Sequence, residues 1–230
     1  MSSPSRADPP TLAFDVDAEH RVSALVDLPA GTPRAGFVLA HGAGAGMRHP
    51  FMTAVATALV ARGIATLRYQ FPYMEQGSKR PDRPAIAHAT VRAAVAQARA
   101  RWPNLPLIAG GKSFGGRMTS QAQASAPLEG VAGLVFLGFP LHPIGKPGDE
   151  RATHLFDVRI PMLFLQGERD ELADLALLRP VVTRLASRAT LEIFQDADHS
   201  FHVKASTGRK DADVRADLVD RITAWIDQIT

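Results

Sequence analysis

The chain has 230 residues, 46% of them apolar in type, with no break in composition. That is enough to bury one sizeable core, and the expectation is a single domain over residues 11–230 behind a polar, Pro/Ser-rich, disordered tail at 1–10. There is no cysteine and the net charge is +3. These exclude disulfides, thiolate metal sites and a cysteine nucleophile. They also argue against a nucleic-acid partner, since the arginines are scattered. No window has the length and apolarity of an export signal or a membrane span, so a cytoplasmic protein off the membrane is expected.

Residues 11–17 and 21–28 alternate apolar and polar, as two half-exposed strands joined at Asp17-Ala18-Glu19-His20. After a Pro/Gly loop, residues 36–40 form a continuous apolar run that suits a strand buried on both faces. It ends in His41-Gly42-Ala43-Gly44-Ala45-Gly46. This G-x-G-x-G lacks the spacing of a dinucleotide fingerprint, and no acidic residue follows where a ribose would need one. A glycine-rich oxyanion loop fits better, with Ala43 supplying a backbone N–H and His41 serving to brace the loop. Residues 49–62 have helical apolar spacing at Phe51, Val55, Leu59 and Val60, and 64–69 read as the next strand. The polar loop 70–83 opens on Phe71-Pro72-Tyr73-Met74-Glu75, whose aromatics are candidates to line a substrate pocket. Residues 84–102 are alanine-rich and helical.

Leu107-Ile108-Ala109-Gly110 reads as a strand running into Gly111-Lys112-Ser113-Phe114-Gly115, a G-x-S-x-G nucleophile elbow. The elbow serine is held in a strained conformation, and its flanking residues crowd it unless they are glycine. A P-loop is excluded, because it needs glycine where Pro106 stands. A helix over 117–125 follows, with Ser120 and Ser125 on its surface. Strands are then predicted at 131–137, 161–165 and 190–194. The connection at 141–158 is too short for a lid domain. A helix covers 172–188, with Asp174 inside it. Val214, Leu218, Ile222 and Trp225 mark an amphipathic closing helix at 211–229.

Alternating strands and helices predict a mostly parallel sheet covered on both faces, with its site at the carboxyl ends of the strands. The glycine loop, Ser113, Asp170 and His199 all fall just past predicted strand ends. Serine needs a base to attack a carbonyl, and His199 fills that part, with Asp170 orienting the ring and the N–H groups of Ala43 and Phe114 forming the oxyanion site. Asp196 and Asp198 compete as the acid and His202 as the base. His199-x-x-His202 could also be a metal pair, but no carboxylate cluster supports one, and no cofactor is required.

From about Ala35 to the C-terminus the chain resembles an α/β-hydrolase of the dienelactone-hydrolase-like group. More narrowly it resembles the lidless branch that includes testis-expressed protein 30 and a subunit of the nonspecific-lethal chromatin complex. The resemblance rests on His41-Gly42-Ala43-Gly44, Phe71-Pro72-Tyr73-Met74-Glu75, Gly110 through Met118, Gln166-Gly167-Glu168-Arg169-Asp170 and Asp198-His199-Ser200-Phe201. It implies a Ser-Asp-His hydrolase without cofactor. Dienelactone hydrolases carry cysteine at the place of Ser113.

The expected function is a serine carboxylesterase on small-molecule acyl esters, as monomer or homodimer. The other class is a binding or scaffold protein on the same fold. Lys112 and Arg68 have two readings each. They attract an anionic substrate, or they are structural, Lys112 pairing with a carboxylate under the elbow and Arg68 anchoring the long loop.

Overall fold

The computed structural model describes residues 11–230; the expected tail at 1–10 lies outside them. Eight strands form one sheet: β1 (Thr11–Asp15), β2 (Arg21–Asp27), β3 (Ala35–Ala40), β4 (Ile64–Tyr69), β5 (Leu107–Lys112), β6 (Val131–Leu137), β7 (Met162–Gly167) and β8 (Ala189–Phe194). Their order is β1-β2-β4-β3-β5-β6-β7-β8. β1 pairs antiparallel with β2, and β2 antiparallel with β4; every other pair is parallel. The helices are α1 (Pro50–Val60), α2 (Pro72–Glu75), α3 (Pro84–Arg101), α4 (Phe114–Ser125), α5 (Leu175–Leu185) and α6 (Asp211–Ile229).

Period-two alternation sorts the strand residues between two cores. On β3, Phe37 and Leu39 join α1 and α6 through Met52, Val55, Leu59, Leu218, Ile222 and Trp225. Val38 and Ala40 face the other way, toward α3, α4 and α5. The apolar runs of β3 to β7 follow from burial on both faces. β2 is more buried than a half-exposed strand, because α1 and α2 pack against it and Val22, Ala24 and Val26 join the core.

Three local boundaries differ from the sequence expectation. The long loop after β4 contains the single turn α2, whose Pro72 has no N–H to lose at a helix start. The connection after β6 carries a 3-10 helix at Glu150–Asp157 and no lid. The helix after β7 starts later than residue 172: Asp174 is its N-cap, accepting from the Ala176 N–H at 2.8 Å, rather than a helix-interior residue.

Parallel strands place their carboxyl ends on one rim. The turns after β3, β5, β7 and β8 meet there, and they carry the glycine loop, Ser113, Asp170 and His199 respectively.

Candidate active site

β5 ends at Lys112 and α4 starts at Phe114, so Ser113 alone makes the turn. Its backbone sits at φ 49°, ψ −113°, a conformation that L-residues avoid and that persists only when its surroundings enforce it. The Ser113 N–H donates to the Leu137 carbonyl of β6 at 3.2 Å, and the Ser113 carbonyl accepts from the Arg117 N–H at 3.1 Å. The flanking glycines are required by close approach. A Cβ on Gly111 would lie 2.1 Å from the Ala40 oxygen, and one on Gly115 2.5 Å from the His41 oxygen.

The glycine loop faces this turn. His41 is fully buried, with its Nδ1 2.8 Å from the Gly42 carbonyl, and the Phe71 N–H donates to its Nε2 at 3.2 Å. Burial pushes the ring down to about 4, so at neutral pH it is uncharged, donating from Nδ1 and accepting at Nε2. It braces the loop as expected from the sequence. Two backbone N–H groups near Ser113, those of Ala43 and Phe114, donate to no described residue. Phe114 heads α4, where the helix leaves its first N–H groups unpaired and partly positive.

On the other side, His199 Nδ1 lies 2.6 Å from Asp170 Oδ2. The Asp170 side chain is fully buried, and the imidazole is 23% exposed. Gln166 Nε2 also donates to Asp170 Oδ2, at 2.5 Å, while the Leu172 N–H takes Oδ1 at 2.8 Å. The carboxylate is thus fixed by three donors. Gln166 is itself oriented by the Phe139 N–H, which donates to its Oε1 at 2.9 Å. Ser113, His199, Ala43, Lys112 and Leu172 all line one cleft of about 690 Å³, which continues along the start of α1 past Phe51 and Met52.

A family model described as an alpha/beta hydrolase domain matches residues 33–227. The chain belongs to the α/β-hydrolase family. A lidless α/β serine hydrolase from Xanthomonas campestris superposes with TM-score 0.75 at 24% identity, covering 97% of this chain and 98% of that one. A serine hydrolase homologue from Coxiella burnetii gives 0.76 at 20%, covering 94% and 99%. A dienelactone hydrolase from Anabaena variabilis gives 0.73 at 21%, covering 96% and 99%. At these identities the likeness is one of fold.

The remaining expected residues of this α/β-hydrolase separate clearly. Phe71 and Tyr73 are 0% and 2% exposed. They do not line the cleft but pack beneath the glycine loop, with Phe71 edge-on to His41 and Phe114. The Tyr73 hydroxyl accepts from the Gly44 N–H at 3.3 Å. Arg68 is also off the cleft. Only 1% exposed, it pairs with Asp27 at 2.9 Å and donates to the Met47 carbonyl at 3.0 Å and to Thr53 Oγ1 at 2.9 Å. Its anion-attracting reading is therefore corrected; it clamps β2 and β4 to the start of α1. Lys112 does line the cleft, yet its ammonium donates to the His199 carbonyl at 2.5 Å rather than to a carboxylate.

Neither acid competitor reaches the imidazole. Asp198 folds the histidine loop, its Oδ1 accepting from the N–H groups of Ser200 (2.7 Å) and His202 (3.0 Å). The Asp196 N–H is held by Glu168 at 2.9 Å. The His202 ring turns to Asp211 at 3.0 Å, and that carboxylate raises its pKa. Among the described residues no cluster of three or more His, Cys, Asp or Glu is placed to hold a metal. Ser120 is corrected from surface to core: it is fully buried, donates to the Arg117 carbonyl at 2.9 Å and contacts His154 Nε2 at 2.8 Å. With its own proton committed, Ser120 accepts from that histidine and ties α4 to the 3-10 helix. Sequence reasoning missed the part of Gln166, because an i, i+4 amide-to-carboxylate contact beyond a strand end has no periodic signal.

Proposed function

We propose that this chain is a serine carboxylesterase that acts on small, soluble acyl esters through an acyl-enzyme. The observation that carries the reading is the buried, three-donor Asp170 held against His199, whose imidazole shares a cleft with the strained Ser113 and with Ala43, while the unpaired Phe114 N–H heads the helix directly after the serine. In the first step the Ser113 Oγ attacks the ester carbonyl carbon while His199 Nε2 takes the hydroxyl proton. Asp170 keeps the ring in the tautomer with Nδ1 protonated and stabilises the imidazolium. The carbonyl oxygen, now negative, is received by the N–H groups of Ala43 and Phe114, each such donor being worth roughly 3 kcal/mol of barrier. The imidazolium returns its proton to the departing alcohol. Water, deprotonated by His199, then cleaves the acyl-serine to release the acid and restore the serine.

The rival reading is a binding or scaffold protein on the same fold. A scaffold has no physical need for a strained serine, a fixed His–Asp pair and unpaired donors together, so these favour turnover. The test is reaction with a fluorophosphonate probe alongside hydrolysis of p-nitrophenyl butyrate. Ser113→Ala is expected to fold normally and to lose both labelling and turnover. Asp170→Asn is expected to lower kcat by roughly 10⁴-fold through the wrong histidine tautomer. Full activity in folded Ser113→Ala protein, or no labelling of the wild type, overturns the esterase reading.

A further inference from the structure

Lys112 precedes the nucleophile, but the alternation of β5 sends its side chain the other way. Leu107 and Ala109 point into the core under α3 and α4, and Ile108 into the core under α1 and α6. Lys112 shares the parity of Ile108, and its side chain passes beneath the histidine loop. Along that path it touches three of the turns that build the site. Its stem runs beside the glycine loop, where a Cβ on Gly42 would come 3.4 Å from Lys112 Cγ. Its tip sits against the turn after β6, where a Cβ on Gly138 would lie 3.1 Å from Lys112 Nζ and 3.2 Å from His199 Nδ1. The ammonium then reaches the third turn. It donates to the His199 carbonyl at 2.5 Å and stands 5.7 Å from the centroid of the Phe201 ring.

That third turn needs an anchor. Phe201 holds a left-handed φ of 60° with a bulky side chain, a conformation that persists only where its surroundings enforce it. Phe201 is kept there by stacking on Phe51 (5.9 Å), by edge contact with Phe194 (5.4 Å) and by the Phe201 N–H donating to the Asp198 carbonyl at 3.0 Å. Lys112 adds a charged hydrogen bond at the histidine itself, the kind that is roughly twice as strong as a neutral one.

We propose that Lys112 is a positioning residue, a pin that fixes the main chain of His199 and so aims the imidazole between Asp170 and Ser113. The assignment rests on the esterase reading for its catalytic consequence and on geometry alone for its structural one. The pin is charged under neutral conditions. Burial pushes the ammonium down to about 8, with Asp170 and Asp198 opposing the fall. Of the groups facing it, these carboxylates and the His199 imidazole are the titratable ones; the glycine loop and the turn after β6 present only backbone. The lysine lines the cleft with its ammonium engaged by the His199 carbonyl.

The test compares wild type, Lys112→Met and Lys112→Gln, all checked for folding by circular dichroism. Kinetics are measured on p-nitrophenyl acetate and on an anionic p-nitrophenyl hemisuccinate. Proton NMR follows the downfield His199 Nδ1–H resonance, which reads the His–Asp contact whether or not the protein turns over esters. For Met the expected result is a kcat at least 10-fold lower on both esters, KM within twofold of wild type, and a broadened or lost resonance. Gln, whose amide can still donate to the His199 carbonyl, is expected to recover part of both. An unchanged resonance and kcat in Met overturns the proposal, as does a KM rise confined to the anionic ester, which makes Lys112 a substrate contact. If wild type neither labels nor turns over, the esterase reading fails and the resonance alone decides the pin.

Discussion

At the residue scale, the chemistry of the rim depends on which groups are kept from titrating. His41 is the clearest case. Its ordinary value is 6.5, and burial lowers it to about 4 in the fold. Between those values the unfolded chain binds a proton that the folded one refuses. Stability is therefore complete above pH 6.5 and declines as the pH falls toward 4, by about 3 kcal/mol across the whole window. His154 is lowered to about 4, by burial and then by Arg117 and His88, and acts in the same range with the same sign. Protonation of His41 also removes the acceptor for the Phe71 N–H, so acid loosens the glycine loop. Urea unfolding followed from pH 7 to pH 4 is expected to lose stability steadily. In His41→Asn the decline should correspond to about one proton fewer taken up on unfolding.

At the scale of elements, the elbow is a strand and a helix joined with no spare residue. β5 lies between β3 and β6, and α4 descends across its end, so backbone meets backbone around Ser113. Gly111 has φ 153° and no room for a side chain, because the Ala40 oxygen of β3 occupies that space. Gly111→Ala must push β3 and β5 apart or rotate the turn. A loss of about 2–5 kcal/mol is expected, from overpacking added to backbone strain. Turnover should fall further than stability, since the serine moves with the turn. Gly31→Ala, with nothing within 4 Å of its added Cβ, is the matched control and should be near neutral. Thermal melting and p-nitrophenyl butyrate hydrolysis of the two variants check this.

At the scale of the whole molecule, the connection between β6 and β7 decides what kind of substrate suits the site. It folds back as a 3-10 helix against α4 and leaves the cleft uncovered. Each methylene of an acyl chain gains roughly 0.8 kcal/mol only where protein buries it. The uncovered cleft is therefore expected to favour acetyl to butyryl esters in kcat/KM. It should show no jump in rate when substrate passes its solubility limit, because there is no lid for an interface to open. A series of p-nitrophenyl esters of rising chain length measures both. Buried Arg68 and Asp27 act at this scale too, joining the antiparallel edge to the parallel sheet, far from any substrate role.

By itself, the sequence determined the alternation of strands and helices, the elbow at Ser113 and the positions of Asp170 and His199 beyond strand ends. These are legible because they are local: an apolar run, a steric demand for glycine, a polar residue after a strand each leave a mark within a few positions. It also carried the likeness to lidless α/β-hydrolases, through short motifs at those same turns. What lies across the rim depended on tertiary structure. Phe71 and Tyr73 look like pocket aromatics in the chain, yet they pack under the glycine loop, because α2 turns their rings inward against His41 and Phe114. Arg68 can be read in the chain as attracting an anionic substrate or as anchoring the long loop, yet the antiparallel pairing of β2 with β4 supplies Asp27 as its buried partner. Gln166 and Lys112 reach their partners through side chains whose direction is set by strand parity and by contacts up to 87 residues apart in sequence. Side-chain direction and distant partners are properties of packing, and no short stretch of sequence contains them.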